Sequence, residues 1–134
     1  MENMSLVSLR IITGQIKQLV HFFEKATGVT AKWLTDDFAE IASSSSTLAI
    51  GSTRTLAYFG EGVAQPAANK SVIIEFLVKN VDDDYKRIQD LTSEIIQKPT
   101  TMPWGNRSLL FRDPDGNLIN FFTPTSPDAI SKFA

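Results

Sequence analysis

One histidine, His21, and no cysteine leave the chain with few of the side chains that usually hold transition metals. Without cysteine neither a disulfide framework nor a thiolate metal site can form. His21 falls between the apolar positions of a helical pattern, where a side chain faces solvent. Asp82-Asp83-Asp84 is a run of three acids, but it opens a second helical pattern, and carboxylates favour the positive end of the helix dipole. Asp113-Pro114-Asp115-Gly116-Asn117 is the sharpest local signal. Proline fixes one turn dihedral, glycine supplies a positive one, and the acids bond backbone NH groups. Apolar runs flank it on both sides, so it marks a β-hairpin.

These residues must be positioned by elements that the hydrophobic pattern spells twice. Residues 6–13 form a short β-branched run that reads as a strand. Residues 15–27 place Ile16, Leu19, Val20, Phe23 and Ala26 at helical spacing, stopped by Gly28. Strands are expected at 31–35, 38–43 and 47–52, with a serine turn at 43–46 and a further extended piece at 55–59. After a Gly-, Ala- and Pro-rich connector at 60–70, the order repeats: a strand at 71–78, a helix at 81–91, then strands at 94–98, 106–112 and 118–123. A shift of about 65 residues superposes the two strand-helix units, Ile11 on Phe76, Ile16 on Val81, Val20 on Tyr85 and Phe23 on Ile88.

Composition narrows the function. A chain of 134 residues with 43% hydrophobic and 21% charged residues is ordinary globular material, long enough to bury a core without staples. The formal net charge of −2 comes with no basic stripe, which argues against nucleic acid as a partner. The N-terminal segment lacks a basic n-region and reads as no signal peptide, and no apolar run approaches a membrane span. A soluble, cytoplasmic protein without membrane partners is expected.

Residues 107–122 (RSLLFRDPDGNLINFF), preceded by Pro103-Trp104-Gly105, resemble the terminal hairpin of the vicinal-oxygen-chelate superfamily. Residues 20–28 (VHFFEKATG) resemble the end of that family's first helix, and residues 78–88 (VKNVDDDYKRI) the start of its second. The resemblance implies an α+β fold of two βαβββ modules forming a cupped mixed β-sheet, here one domain over residues 1–134. Its first module would cover about 5–60, its second about 71–124, with a C-terminal tail at 125–134. The cup is often completed in a homodimer. Members of this family include glyoxalase I, extradiol dioxygenases, fosfomycin-modifying enzymes and metal-free drug-binding resistance proteins.

Enzymes of the family place a metal ligand on the first strand of each module and an acid or similar ligand near the end of each last strand. Carried over, those positions are Ser8, Ile73, Asn120 and, for the first module, the neighbourhood of Ala49. A hydroxyl, a hydrocarbon, an amide and a methyl group do not make a divalent site, which needs imidazole or carboxylate donors. No metal and no cofactor are expected. With Ser8 and Ile73 facing inward, strand alternation turns Arg10 and Glu75 inward too, and leaves Leu9, Ile11, Ile74 and Phe76 toward the helices. Ser108, Leu110, Asn120 and Phe122 of the hairpin face the same cavity, with Trp33 and Trp104 near its mouth.

The expected ligand-binding set is therefore Ser8, Arg10, Trp33, Ile73, Glu75, Trp104, Ser108, Leu110, Asn120 and Phe122, apolar walls with a few polar groups. Arg10 and Glu75 occupy repeat-equivalent positions. They read either as a charged pair gripping a polar ligand or as an ion pair satisfying itself at a module interface. Trp104 reads either as a packed loop aromatic or as a ligand anchor. The favoured function is sequestration of a small organic molecule. The alternative is an enzyme: a metal-dependent lyase or dioxygenase in a shifted register, or a metal-free acid/base catalyst using Glu75, whose pKa an apolar cup would raise.

Overall fold

A computed structural model describes residues 3–134 as two compact units, the first ending at Ala68 and the second spanning Asn69–Ala134. Each is a four-stranded sheet with a helix on one face. In the first unit β1 (Ser8–Thr13) runs into α1 (Ile16–Thr27), followed by β2 (Lys32–Thr35), β3 (Phe38–Ala42) and β4 (Thr47–Ser52), with sheet order β1-β4-β3-β2. β1 pairs parallel with β4, and the other two pairings are antiparallel. The second unit repeats this with β5 (Ile73–Leu77), α2 (Val81–Leu91), β6 (Ile95–Thr101), β7 (Asn106–Arg112) and β8 (Leu118–Pro124), ordered β5-β8-β7-β6. β5 starts 65 residues after β1, and α2 starts 65 after α1 (73 against 8, 81 against 16).

Each helix forms because its apolar stripe has a sheet to cover. Leu19, Val20, Phe22, Phe23 and Ala26 of α1 are buried, and α1 packs on β3 and β4. A fully buried side chain of this size stabilises by about 1.5–3 kcal/mol. Gly28, at φ 74°, ends the helix in the left-handed conformation and donates its NH to the Glu24 carbonyl. α2 is capped by Asn80, whose side chain accepts from the backbone NH groups of Asp82 and Asp83. The acid run therefore sits at a helix N-terminus, as expected. Asp82 also receives both Nε and Nη2 of Arg107, at 2.9 and 3.1 Å. This pairing holds the Asp82 carboxyl below its ordinary range.

One expectation needs correction. Residues 55–59 are not extended. Thr53–Tyr58 is a 3₁₀ turn started by Ser52, whose hydroxyl accepts from the NH of Arg54. Within the C-terminal tail, Pro127–Lys132 forms a short helix, α3, with Ser126 as its cap and proline at its first turn. The hairpin turn is as read. Gly116 has φ 83°, and Asp113 Oδ1 accepts from the NH groups of Asp115 and Asn117. Asp113 Oδ2 takes the Asn117 side-chain amide at 2.7 Å. Asn69 in turn donates to Asn117 Oδ1, tying the connector to this turn.

Candidate functional site

Strand pairing sorts the candidates on strands by face, because directly opposed residues share one. In the second unit the face away from α2 carries three rows. Leu77 of β5, Phe122 of β8 and Ser108 of β7 make the first, with Thr100 of β6 beyond. Glu75, Asn120, Leu110 and Gln97 make the second. Ile73, Leu118 and Arg112 make the third. The alternation shows in burial: Ile74 is buried toward the helix while Ile73, Glu75 and Leu77 are exposed. Six of the sequence-predicted residues, Ile73, Glu75, Ser108, Leu110, Asn120 and Phe122, thus share one sheet face.

The first row is roofed. Phe133, just past α3, packs edge-on against Phe122 with ring centroids 5.0 Å apart. Phe122 is therefore a buried wall rather than an open stacking platform. A shallow groove of about 510 Å³ runs beside it, lined by Leu77, Lys79, Pro124, Ile130 and Phe133 among others. The C-terminal residues thus shape this end of the face, which sequence reading missed. The Ser126-Pro127-Asp128 capping signal was the available clue.

The second row holds the polar centre. Asn120 is 9% exposed and donates its Nδ2 to Glu75 Oε2 at 2.8 Å. Its Oδ1 is buried with no hydrogen-bond partner. The carboxylate fixes this orientation, since Glu75 accepts and the amide nitrogen must face it. Glu75 has no cation beside it among the described residues. A buried amide oxygen and an unneutralised carboxylate therefore sit side by side, both acceptors.

In the first unit, the face away from α1 carries Ser8, Arg10 and Ile12 of β1, with Ala49 between Arg10 and Glu40. The Arg10 guanidinium lies 4.9 Å from the Phe38 ring centroid and 5.5 Å from that of Phe59. No acid partners it among the described residues. Ser8 and Arg10 do share a face. Trp33 does not join them: it pairs with Ala39, which opposes Ile50 and lies on the α1 side. Trp104 is on no strand. It is 67% exposed in the turn between β6 and β7.

The metal positions implied by the resemblance do not fit a divalent ion. In the first unit they fall on Ser8 and Ala49, in the second on Ile73 and Asn120. Only the Ser8 hydroxyl and the Asn120 amide are donors, both neutral, and the amide nitrogen is committed to Glu75. Among the described residues no three His, Cys, Asp or Glu side chains are grouped to hold a metal. His21 is exposed on α1. No described helix is long and apolar enough to cross a membrane.

The βαβββ units and the position of the hairpin motif define the class, and comparison with known proteins agrees. The chain belongs to the Glyoxalase/Bleomycin resistance protein/Dioxygenase superfamily, whose profile matches residues 5–121. It is similar to the uncharacterized protein YraH of Bacillus subtilis, 26% identical over 125 residues that cover 89% of this chain and 98% of that one. Among solved structures it resembles a glyoxalase/bleomycin resistance protein/dioxygenase from Nocardioides, with TM-score 0.75, 18% identity, and 95% and 87% of the two chains covered. A family enzyme from Burkholderia phytofirmans superposes with TM-score 0.78 at 13% identity, over 87% of this chain and 96% of that one. At these identities the solved structures speak for the fold alone.

Proposed function

We propose that this protein is a metal-free member of its family that binds a small organic molecule on the open face of the second sheet and sequesters it in the cytoplasm. One observation carries the reading: Asn120 Oδ1 is buried and unpaired beside the Glu75 carboxylate. An unsatisfied buried acceptor is destabilising by about 1–3 kcal/mol, and a donor arriving from outside, from water or from a ligand, relieves that cost. The partner is a molecule with an N–H or O–H donor for Asn120 and an apolar body for Ile73, Leu110 and the groove beside Phe133. A homodimer belongs to the same proposal, supported by the edge position of β5 in its sheet, by the exposed Ile73 and Leu77 on it and by the exposed Val72 just before it.

An acid/base role for Glu75 has less support. Its row contains Asn120, Leu110 and Gln97 and no second ionisable group to return the proton. The test has two arms. Thermal unfolding with nickel, zinc, iron and manganese should show no stabilisation of the purified chain. A fragment library screened by NMR should shift the Asn120 side-chain amide with hydrogen-bond donors and not with their methylated analogues. One tightly held ion per chain, or fragments that ignore Asn120, would sink the reading.

A further inference from the structure

The first unit carries a second unfinished site, on residues separate from the Glu75–Asn120 pair. Arg10 lies on edge strand β1, with Phe38 reaching it from β3 and Phe59 from the residue that ends the 3₁₀ turn. None of the other charges of this sheet face forms an ion pair with Arg10 among the described residues. Glu40 opposes Lys32 directly on the neighbouring strand, whereas Arg10 is two strands away from it, about 10 Å, across Ala49. Asp37, in the β2–β3 turn, is taken by Arg54 at 2.9 Å. Arg10 is left as a cation held by two aromatic rings, with no protein acceptor for its N–H groups among the described residues.

We infer that Arg10, with Phe38 and Phe59, is a carboxylate-binding subsite for a flat aromatic acid. A guanidinium lying flat over a ring keeps its in-plane N–H fork free for a bidentate carboxylate. The two rings also restrict the long side chain, so less rotamer freedom is lost when the anion arrives. Phe59 is 64% exposed, and it presents apolar ring surface to the body of the acid. A lone guanidinium neutralises one charge, which matches a monocarboxylate better than a phosphate dianion.

The test is an NMR titration of the full chain with benzoate, with benzamide as its neutral isostere and acetate as the anion without a ring. Benzoate is expected to shift the Arg10 side-chain Nε–H resonance and to bind at least about tenfold more tightly than benzamide and acetate. Arg10→Met should erase the preference for benzoate over benzamide. Arg10→Lys, which keeps the charge but loses the fork, should weaken benzoate by about tenfold. Phe59→Leu should weaken benzoate by more than it weakens acetate, because it removes the ring contact as well as part of the restraint on Arg10. Equal binding of benzoate and benzamide, or no movement of Arg10 at millimolar benzoate, overturns the assignment. The Asn120 side-chain amide is read in the same spectra. Benzoate shifts confined to Arg10 would sustain this subsite even if the second-unit proposal failed, and loss of the Arg10 response alone would leave that proposal standing.

Discussion

Asn120 donates its side-chain amide to Glu75 across the parallel β8–β5 pair at 2.8 Å, and that bond turns the remaining oxygen of the amide away from any partner. The residue is thus held at a cost to stability. Asn120→Leu removes the unsatisfied oxygen and keeps much of the volume, so it is expected to leave the unfolding free energy unchanged or raise it by about 1 kcal/mol. Binding of hydrogen-bond donors at this face should vanish at the same time. Urea unfolding and fragment titration on one preparation check both. A large loss of stability would mean that the oxygen is satisfied in solution.

Glu75→Gln separates charge from hydrogen bonding. The side-chain carbonyl of the introduced glutamine still accepts from the Asn120 amide, and the site is exposed, so stability should stay within about 0.5 kcal/mol of the parent. Ligands carrying a positive charge should lose affinity, and their dependence on salt should flatten, because the carboxylate supplies that attraction. Titration at two ionic strengths reads the difference. An unchanged salt dependence would remove Glu75 from the binding site.

The repeat, α1, α2 and the hairpin were legible because each is a local pattern: apolar residues at a helical period, or turn residues between apolar runs. α2 and β7 have the bounds the pattern gave. What the sequence hid was non-local. The sequence sets Trp33 near a cavity mouth, whereas its pairing with Ala39, visible only once β2 and β3 are paired, turns it to the α1 side. Residues 55–59 looked extended because their apolar run is short, and only the Ser52 cap distinguishes a 3₁₀ turn. Glu75 and Asn120 could each be placed on the open face, yet their contact depends on the pairing of two strands more than forty residues apart. Phe133 over Phe122 had no sequence signal beyond a six-residue helix.

Asp113 and Asp82 should respond to pH in opposite senses. Burial pushes the Asp113 carboxyl above its ordinary value of 3.8, with the turn hydrogen bonds from Asn117 and Asp115 pulling it partly back. Its folded form binds the proton more tightly than its unfolded form. The stability this contributes is present below about 3.8 and is lost as pH rises through the folded pKa. Asp82 is lowered by its hydrogen bonds to Arg107, so its contribution is present above 3.8 and is lost as pH falls through the folded pKa. Urea unfolding across pH 2–8 of Asp113→Asn and Asp82→Asn, each against the parent, should show differences that change on opposite sides of that value. Differences that change on the same side would contradict the burial of Asp113.

Gly105 has φ 92°, and a Cβ there would fall on the Ser126 side chain that caps α3. Its carbonyl also accepts from the backbone NH groups of Thr125 and Ser126 and from the Thr125 hydroxyl. Gly105→Ala combines an unfavourable dihedral with a displaced cap, and about 2–3 kcal/mol of destabilisation is expected. Thermal unfolding measures the loss, and hydrogen exchange should localise it to residues 125–133. A loss confined to other residues would mean that the turn does not anchor α3.

Phe133 tests how far the C-terminal residues shape the binding face. Its ring packs edge-on against Phe122 at 5.0 Å and carries the Lys132 ammonium at 5.2 Å. Such an aromatic pair adds about 0.5–1.5 kcal/mol beyond burial, so Phe133→Ala should cost about 1–3 kcal/mol in all. The same substitution uncovers Phe122 in the row next to Glu75 and Asn120. If the roof merely closes the end of the face, aromatic fragments that shift Asn120 should bind more tightly once Phe122 is free to stack. If Phe133 is itself a wall of the site, those fragments should bind more weakly while fragments without a ring are unaffected. Comparing the two fragment sets on parent and variant separates these roles, because only the second makes the C-terminal residues part of the ligand contact.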